Sequence, residues 1–68
     1  MTMKTIGQKI QSRRKELGIT QQELADIAGV GINTLVAVER GQGNPSLKVL
    51  QKIAGAIGFS VGLTLLQK

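Results

Sequence analysis

Residues 20–41 read TQQELADIAGVGINTLVAVERG, and this stretch decides the fold. Thr20-Gln21-Gln22-Glu23 has the S/T-x-x-E spacing of a capping box, which satisfies two orphan amides at a helix start reciprocally. Leu24, Ala25, Ile27 and Ala28 follow, with Ala25 small where a second helix must pass close. Gly29 ends this helix, because glycine takes a positive φ at no steric cost. Val30 tucks under the turn. The next helix is expected over 32–40, stopped by Gly41, with Leu35 and Val38 facing inward and Glu39 beside them. Two short helices joined by a glycine turn, the second with a thin polar edge, form the arrangement that sets a helix in the DNA major groove.

On the N-terminal side, residues 1–4 read as a frayed start. A helix over 5–17 places Ile6, Ile10 and Leu17 on one face, with Arg14 beside them. Gly18 suits its C-terminal stop, and Arg13-Arg14-Lys15 suits the negative end of its dipole. On the C-terminal side, Gln42-Gly43-Asn44-Pro45 is a loop. Ser46 caps a fourth helix over 47–57 with a buried stripe of Leu47, Leu50, Ile53, Ala54 and Ile57. Val49 and Lys52 fall on its outer side, which leaves a dimer contact through this helix open. Gly58 ends it.

The tail has a different period. Phe59-Ser60-Val61-Gly62-Leu63-Thr64-Leu65 alternates apolar with small or polar residues, the pattern of a strand. No second strand is available within the chain. A lone apolar strand is a template for association, and the same strand from a second subunit would satisfy it across a two-fold axis. Phe59, Val61, Leu63 and Leu65 are then the dimerisation residues. The alternative is irregular coil folded back on its own subunit. The chain thus divides into a helical domain at 1–58 and a dimerisation strand at 59–68.

Composition narrows the function. Sixty-eight residues make one domain, and a chain this short buries only about 60% of its unfolded surface, so a partner subunit would help its stability. There is no cysteine and no histidine, which removes disulfides, thiolate metal sites and the commonest general base. The four acids, Glu16, Glu23, Asp26 and Glu39, make no obvious metal site or acid/base pair. No enzyme activity, cofactor or metal is expected. The net charge of +5 points to a polyanionic partner, nucleic acid before an anionic membrane surface. A single Phe, with no Trp or Tyr, argues against a single-strand platform that stacks bases on rings. No apolar run is long enough to span a membrane, and no leader-like segment opens the chain, so a cytoplasmic location is expected.

Arg14, the TQQELA run, Gly29-Val30, Leu35, Glu39-Arg40-Gly41, Asn44-Pro45-Ser46 and Leu50-x-x-Ile53-Ala54 together resemble the lambda repressor/Cro-like (XRE-type) helix-turn-helix domain, over about residues 6–58. The resemblance implies a mostly α fold of four to five helices. With the tail added, the expectation is a C-terminal β-strand pairing across a dimer. That strand is similar to the one in HipB-type regulators, dimeric antitoxins that repress their own operon and bind a kinase-like toxin.

The family pattern carries roles to particular positions. Arg14 and Glu39 match a buried ion pair tying the first helix to the third, two separately solvated charges being the alternative. Thr20 and Gln21 fall where a helix start meets a DNA phosphate, a place where backbone amides add partial positive charge. Asn44, Ser46 and Lys48 match backbone contacts on the other side of the groove, with Arg40 and Thr34 as further phosphate contacts. Such contacts set register without reading sequence. Ile32, Asn33, Val36 and Ala37 take the groove-facing positions. The Asn33 amide suits adenine N6 and N7, while the three apolar residues suit thymine methyls, so an A·T-leaning half-site is expected. Gly31 departs from the family's usual Ser or Thr and offers no hydroxyl. The long polar readers Arg and Gln are also missing from this face.

The resemblance therefore implies a sequence-specific double-stranded DNA-binding transcriptional regulator. Its expected form is a homodimeric repressor on a palindromic operator, with a HipA-like kinase toxin as the further partner of an antitoxin. No membrane and no small-molecule ligand are expected. The alternatives are a protein-interaction module and a basic protein that coats nucleic acid without operator specificity.

Overall fold

The computed structural model describes residues 2–59. Among the described residues four helices follow one another: α1 (Met3–Glu16), α2 (Gln21–Ala28), α3 (Ile32–Glu39) and α4 (Leu47–Ala56). There is no strand among the described residues. The expected tail strand, with Val61, Leu63 and Leu65, lies outside them, and only its first residue, Phe59, is described, exposed after α4.

Every helix start but one is a side-chain cap. The Thr20 hydroxyl accepts from Glu23 N at 3.0 Å, while Thr20 N donates to Glu23 Oε1 at 2.7 Å, so the capping box is complete. Ser46 Oγ accepts from Val49 N at 3.1 Å. The frayed start gives way to order two residues earlier than expected. Thr2 is an N-cap whose Oγ1 accepts from Thr5 N, and Met3 packs against the core. Among the described helices only α3 starts without a side-chain cap, at Gly31.

The helix ends share one device. After α2, Val30 N donates to Ala25 O at 3.0 Å and Gly29 N to Asp26 O at 3.3 Å, with Gly29 at φ 72°. This is a Schellman-type closure, which consumes carbonyls the helix leaves orphaned. Equivalent pairs of bonds close α1 through Gly18 and Ile19, α3 through Gly41 and Gln42, and α4 through Gly58 and Phe59.

Helices of 8 to 14 residues are marginal alone, so packing must hold them. Ile10, Leu24, Ala25, Leu35, Val38, Leu50, Ile53 and Ile57 form one core, with Ile6, Ile19, Ala28, Val30 and Val49 packed at its edge. α1 lies against α3, and α2 against both α3 and α4. Two expected core members are on the surface instead. Leu17 is 43% exposed because α1 ends at Glu16 and the chain turns away at Gly18. Leu47 is 46% exposed because it is the first residue of α4, one turn before the buried stripe starts at Leu50.

α1 crosses α3 at Gly7. A Cβ on Gly7 would overlap the Val38 carbonyl oxygen and lie 2.8 Å from that of Glu39. Arg13 Nε donates to Ile57 O at 3.0 Å and so joins the end of α4 to α1.

Candidate nucleic-acid interface

Where the end of α1, the start of α2 and the end of α3 meet sits a charged pair within an otherwise apolar interior. Arg14 Nε donates to Glu39 Oε2 at 2.7 Å, and Arg14 Nη2 to Glu39 Oε1 at 3.1 Å. The two side chains are 10% and 1% exposed. The guanidinium fork matches the carboxylate, which is the geometry that compensates best for desolvation. Two further bonds complete it. Arg14 Nη1 donates to Ile19 O at 2.9 Å, and Gln21 Nε2 donates to Glu39 Oε1 at 3.1 Å. Among the described residues no buried side-chain nitrogen or oxygen lacks a partner. The cluster binds the end of α1, the start of α2 and the end of α3 into one unit.

The outer side of that unit carries the remaining candidates. Thr20 is exposed, and its hydroxyl, already an acceptor in the cap, keeps its own proton to donate. Gln21 is half-buried. On α3, Asn33 and Thr34 are exposed, while Val36 and Ala37 are half-buried. Ile32 is also half-buried and packs partly against the core, so only part of its side chain faces out. Arg40 is exposed at the C-cap of α3. Asn44, Ser46 and Lys48 are exposed along the loop and the start of α4.

Asn33, Thr34 and Ala37 share a shallow cleft of about 350 Å³ with Gln42, Gly43, Asn44 and Pro45. The α3–α4 loop folds back toward α3, bringing Gly43 beside Ala37. This joins two groups of candidates that are distant in the chain. Thr20 and Gln21 do not line it.

Gln42 escaped the sequence reading. The residue that follows the terminal glycine is apolar after α1, α2 and α4, namely Ile19, Val30 and Phe59, and the first two pack against the core. After α3 it is Gln42, exposed and in the cleft. That break in pattern was the available signal.

A family model described as helix-turn-helix matches residues 10–63. The chain belongs to the helix-turn-helix family. Within that family its likeness is to the XRE-type, lambda repressor-like domains of DNA-binding transcription regulators, not to enzymes. It is 44% identical over 57 residues to the immunity repressor protein of Bacillus phage phi105, covering 84% of this chain and 40% of the repressor. It is 42% identical over 64 residues to the HTH-type transcriptional regulator SinR of Bacillus subtilis, covering 93% of this chain and 58% of SinR. It is 49% identical over 49 residues to an uncharacterized HTH-type transcriptional regulator of Methanothermobacter thermautotrophicus, covering 72% and 71%. The helix-turn-helix chain thus spans about half the length of the first two. Among its described residues, no helix is long and apolar enough to cross a membrane.

Proposed function

We propose that this helix-turn-helix chain is a transcription regulator that binds double-stranded DNA as a homodimer and represses from a palindromic operator. One observation carries the reading. The exposed edge of α3, with Asn33 and Thr34, opens into a cleft shared with the α3–α4 loop, and the capped start of α4 follows that loop. With α3 in the major groove, Asn33 reads an adenine, and Ile32, Val36 and Ala37 meet thymine methyls. Thr20 and Gln21 hold a phosphate on one side. Thr34, Arg40, Asn44, Ser46 and Lys48 hold the backbone on the other. DNA shape supplies the discrimination that an apolar face cannot.

The homodimer rests on residues 59–65, whose period-two alternation suits a strand shared between subunits. The antitoxin role rests on the same tail and its likeness to HipB-type regulators. Co-expression with the product of the neighbouring reading frame tests it, and an unrelated neighbour that fails to co-purify refutes it.

The half-buried, apolar reading face favours one second reading, that of a basic protein binding duplexes without sequence preference. Selection from a randomised duplex library at low and physiological salt separates the two. The regulator enriches a two-fold-symmetric motif with half-sites about one helical turn, ~34 Å, apart. If the dimer neutralises about eight phosphates, log K falls against log salt with a slope of about −7. Binding without enrichment refutes operator recognition. A flat salt response refutes DNA as the partner.

A further inference from the structure

Resting on the DNA-binding reading above, we propose that Glu39, backed by Arg14, is the positioning residue for the Gln21 phosphate contact, so that the buried ion pair sets the register between the anchor on α2 and the reading face of α3. Glu39 ends α3, and its side chain is 1% exposed. Both of its oxygens are engaged. Oε2 accepts from Arg14 Nε at 2.7 Å, and Oε1 accepts from Arg14 Nη2 and Gln21 Nε2, each at 3.1 Å. A carboxylate only accepts, so the Gln21 amide must turn its NH2 group toward it. One N–H is used there and the second remains. Gln21 is only half-buried, at the first position of α2, so that second N–H is the one a phosphate oxygen can take.

The arrangement removes freedom in advance. A glutamine side chain has three rotatable bonds, and ordering one on binding costs affinity. Here the order is already present in the free protein. Arg14 also donates to Ile19 O, which holds the chain immediately before the Thr20 cap. The start of α2 is therefore gripped from the preceding turn and from its own first side chain, and both grips lead to the last residue of α3. A phosphate bound by Gln21 is thereby placed at a set distance from Asn33 and Ala37.

The test is a double-mutant cycle in the full chain, read on the duplex selected from the library, with Gln21→Ala, Glu39→Gln and the double variant. In Glu39→Gln the new amide oxygen takes the shorter bond to Arg14 Nε. Its NH2 then faces both Arg14 Nη2 and the NH2 of Gln21, donor against donor, so the wild-type tether is lost with volume conserved, and Gln21 can bond there again only by turning its oxygen inward. Gln21→Ala is expected to weaken binding roughly tenfold in the wild-type background and about twofold or less beside Glu39→Gln, a difference on the order of the cost of immobilising one side chain. The same loss in both backgrounds overturns the proposal, since Glu39 would then act only through the fold. If Glu39→Gln does not fold, the wild-type protein still decides. On adding the duplex, the Gln21 side-chain amide proton facing Glu39 keeps its NMR shift while its twin moves. If both protons move together, or neither does, the tether plays no part. A neutral Gln21→Ala in the wild type also overturns the proposal while leaving DNA binding intact. A wild-type protein that binds no duplex overturns the DNA-binding reading itself.

Discussion

α2 and α3 are both eight residues long and are joined by a single turn, yet their starts are built in opposite ways. The start of α2 is over-determined: a reciprocal box at Thr20 and Glu23, Gln21 bonded to Glu39, and the Ile19 carbonyl held by Arg14. The start of α3 has only the backbone of Gly31 and an Ile32 shared between core and surface. Both helices are then secured from within, by Leu24 and Ala25 in one and by Leu35, Val38 and Glu39 in the other. The difference separates anchoring from reading. Side-chain bonds hold the element that must not move, while the element proposed to face the bases keeps its amides and edge free of protein caps.

The largest expected effect attacks what the two helices share. Glu39→Ala leaves Arg14 buried and unpaired and removes the tether of Gln21, at a cost of about 3–5 kcal/mol in unfolding free energy. A denaturant titration checks it, and a loss under 1 kcal/mol would mean the pair is not what locks α2 to α3. Next comes the reading side. Asn33→Ala is expected to relax preference at one base pair by about 1–3 kcal/mol with little change in stability. Equal loss on every sequence would make Asn33 a backbone contact and erase the distinction between anchor and reader. Thr20→Ala breaks the capping box and should cost about 1 kcal/mol of stability. A melting curve in which it costs nothing would show that the tethers alone hold the start of α2. The smallest effect sharpens the contrast from the other side. Gly31→Ser gives α3 the hydroxyl it lacks and should stabilise by only a few tenths of a kcal/mol. A gain above 1 kcal/mol would show that the bare start of α3 carries a real stability cost.

Much of the fold was legible because helix limits here are local chemistry. The box at Thr20, the cap at Ser46 and the stops at Gly18, Gly29, Gly41 and Gly58 sit within a few residues of what they satisfy. The limits were missed where locality misleads. Periodicity alone extended the buried stripes to Leu17 and Leu47, whereas a helix end can project past the core it packs on. Thr2 was overlooked because a chain start carries a prior of fraying, although its hydroxyl caps α1. In the candidate site, the pairing of Arg14 with Glu39 was readable only through family likeness, since 25 residues separate them. Gln42 had a signal, a polar residue where the other helix ends carry an apolar one, but its place in the cleft depends on the loop folding back over α3.

By itself the sequence determined four helices, the caps and glycine stops that bound them apart from the start of α1, and a basic chain with a helix-turn-helix at its centre. Caps, glycine stops and the apolar period act over one or two turns, so they need no knowledge of distant neighbours. Only the tertiary structure decided that Gly7 must be glycine, because the carbonyls of Val38 and Glu39 lie where a Cβ would stand. Only it decided that Gln21 is held by Glu39, because that bond closes between two helices whose relative placement comes from burying Ile10, Leu24, Leu35 and Ile53 together. Burial is non-directional, and it sets which residues meet. The hydrogen bonds, which are directional, then select the arrangement in which every buried side-chain nitrogen and oxygen among the described residues has a partner.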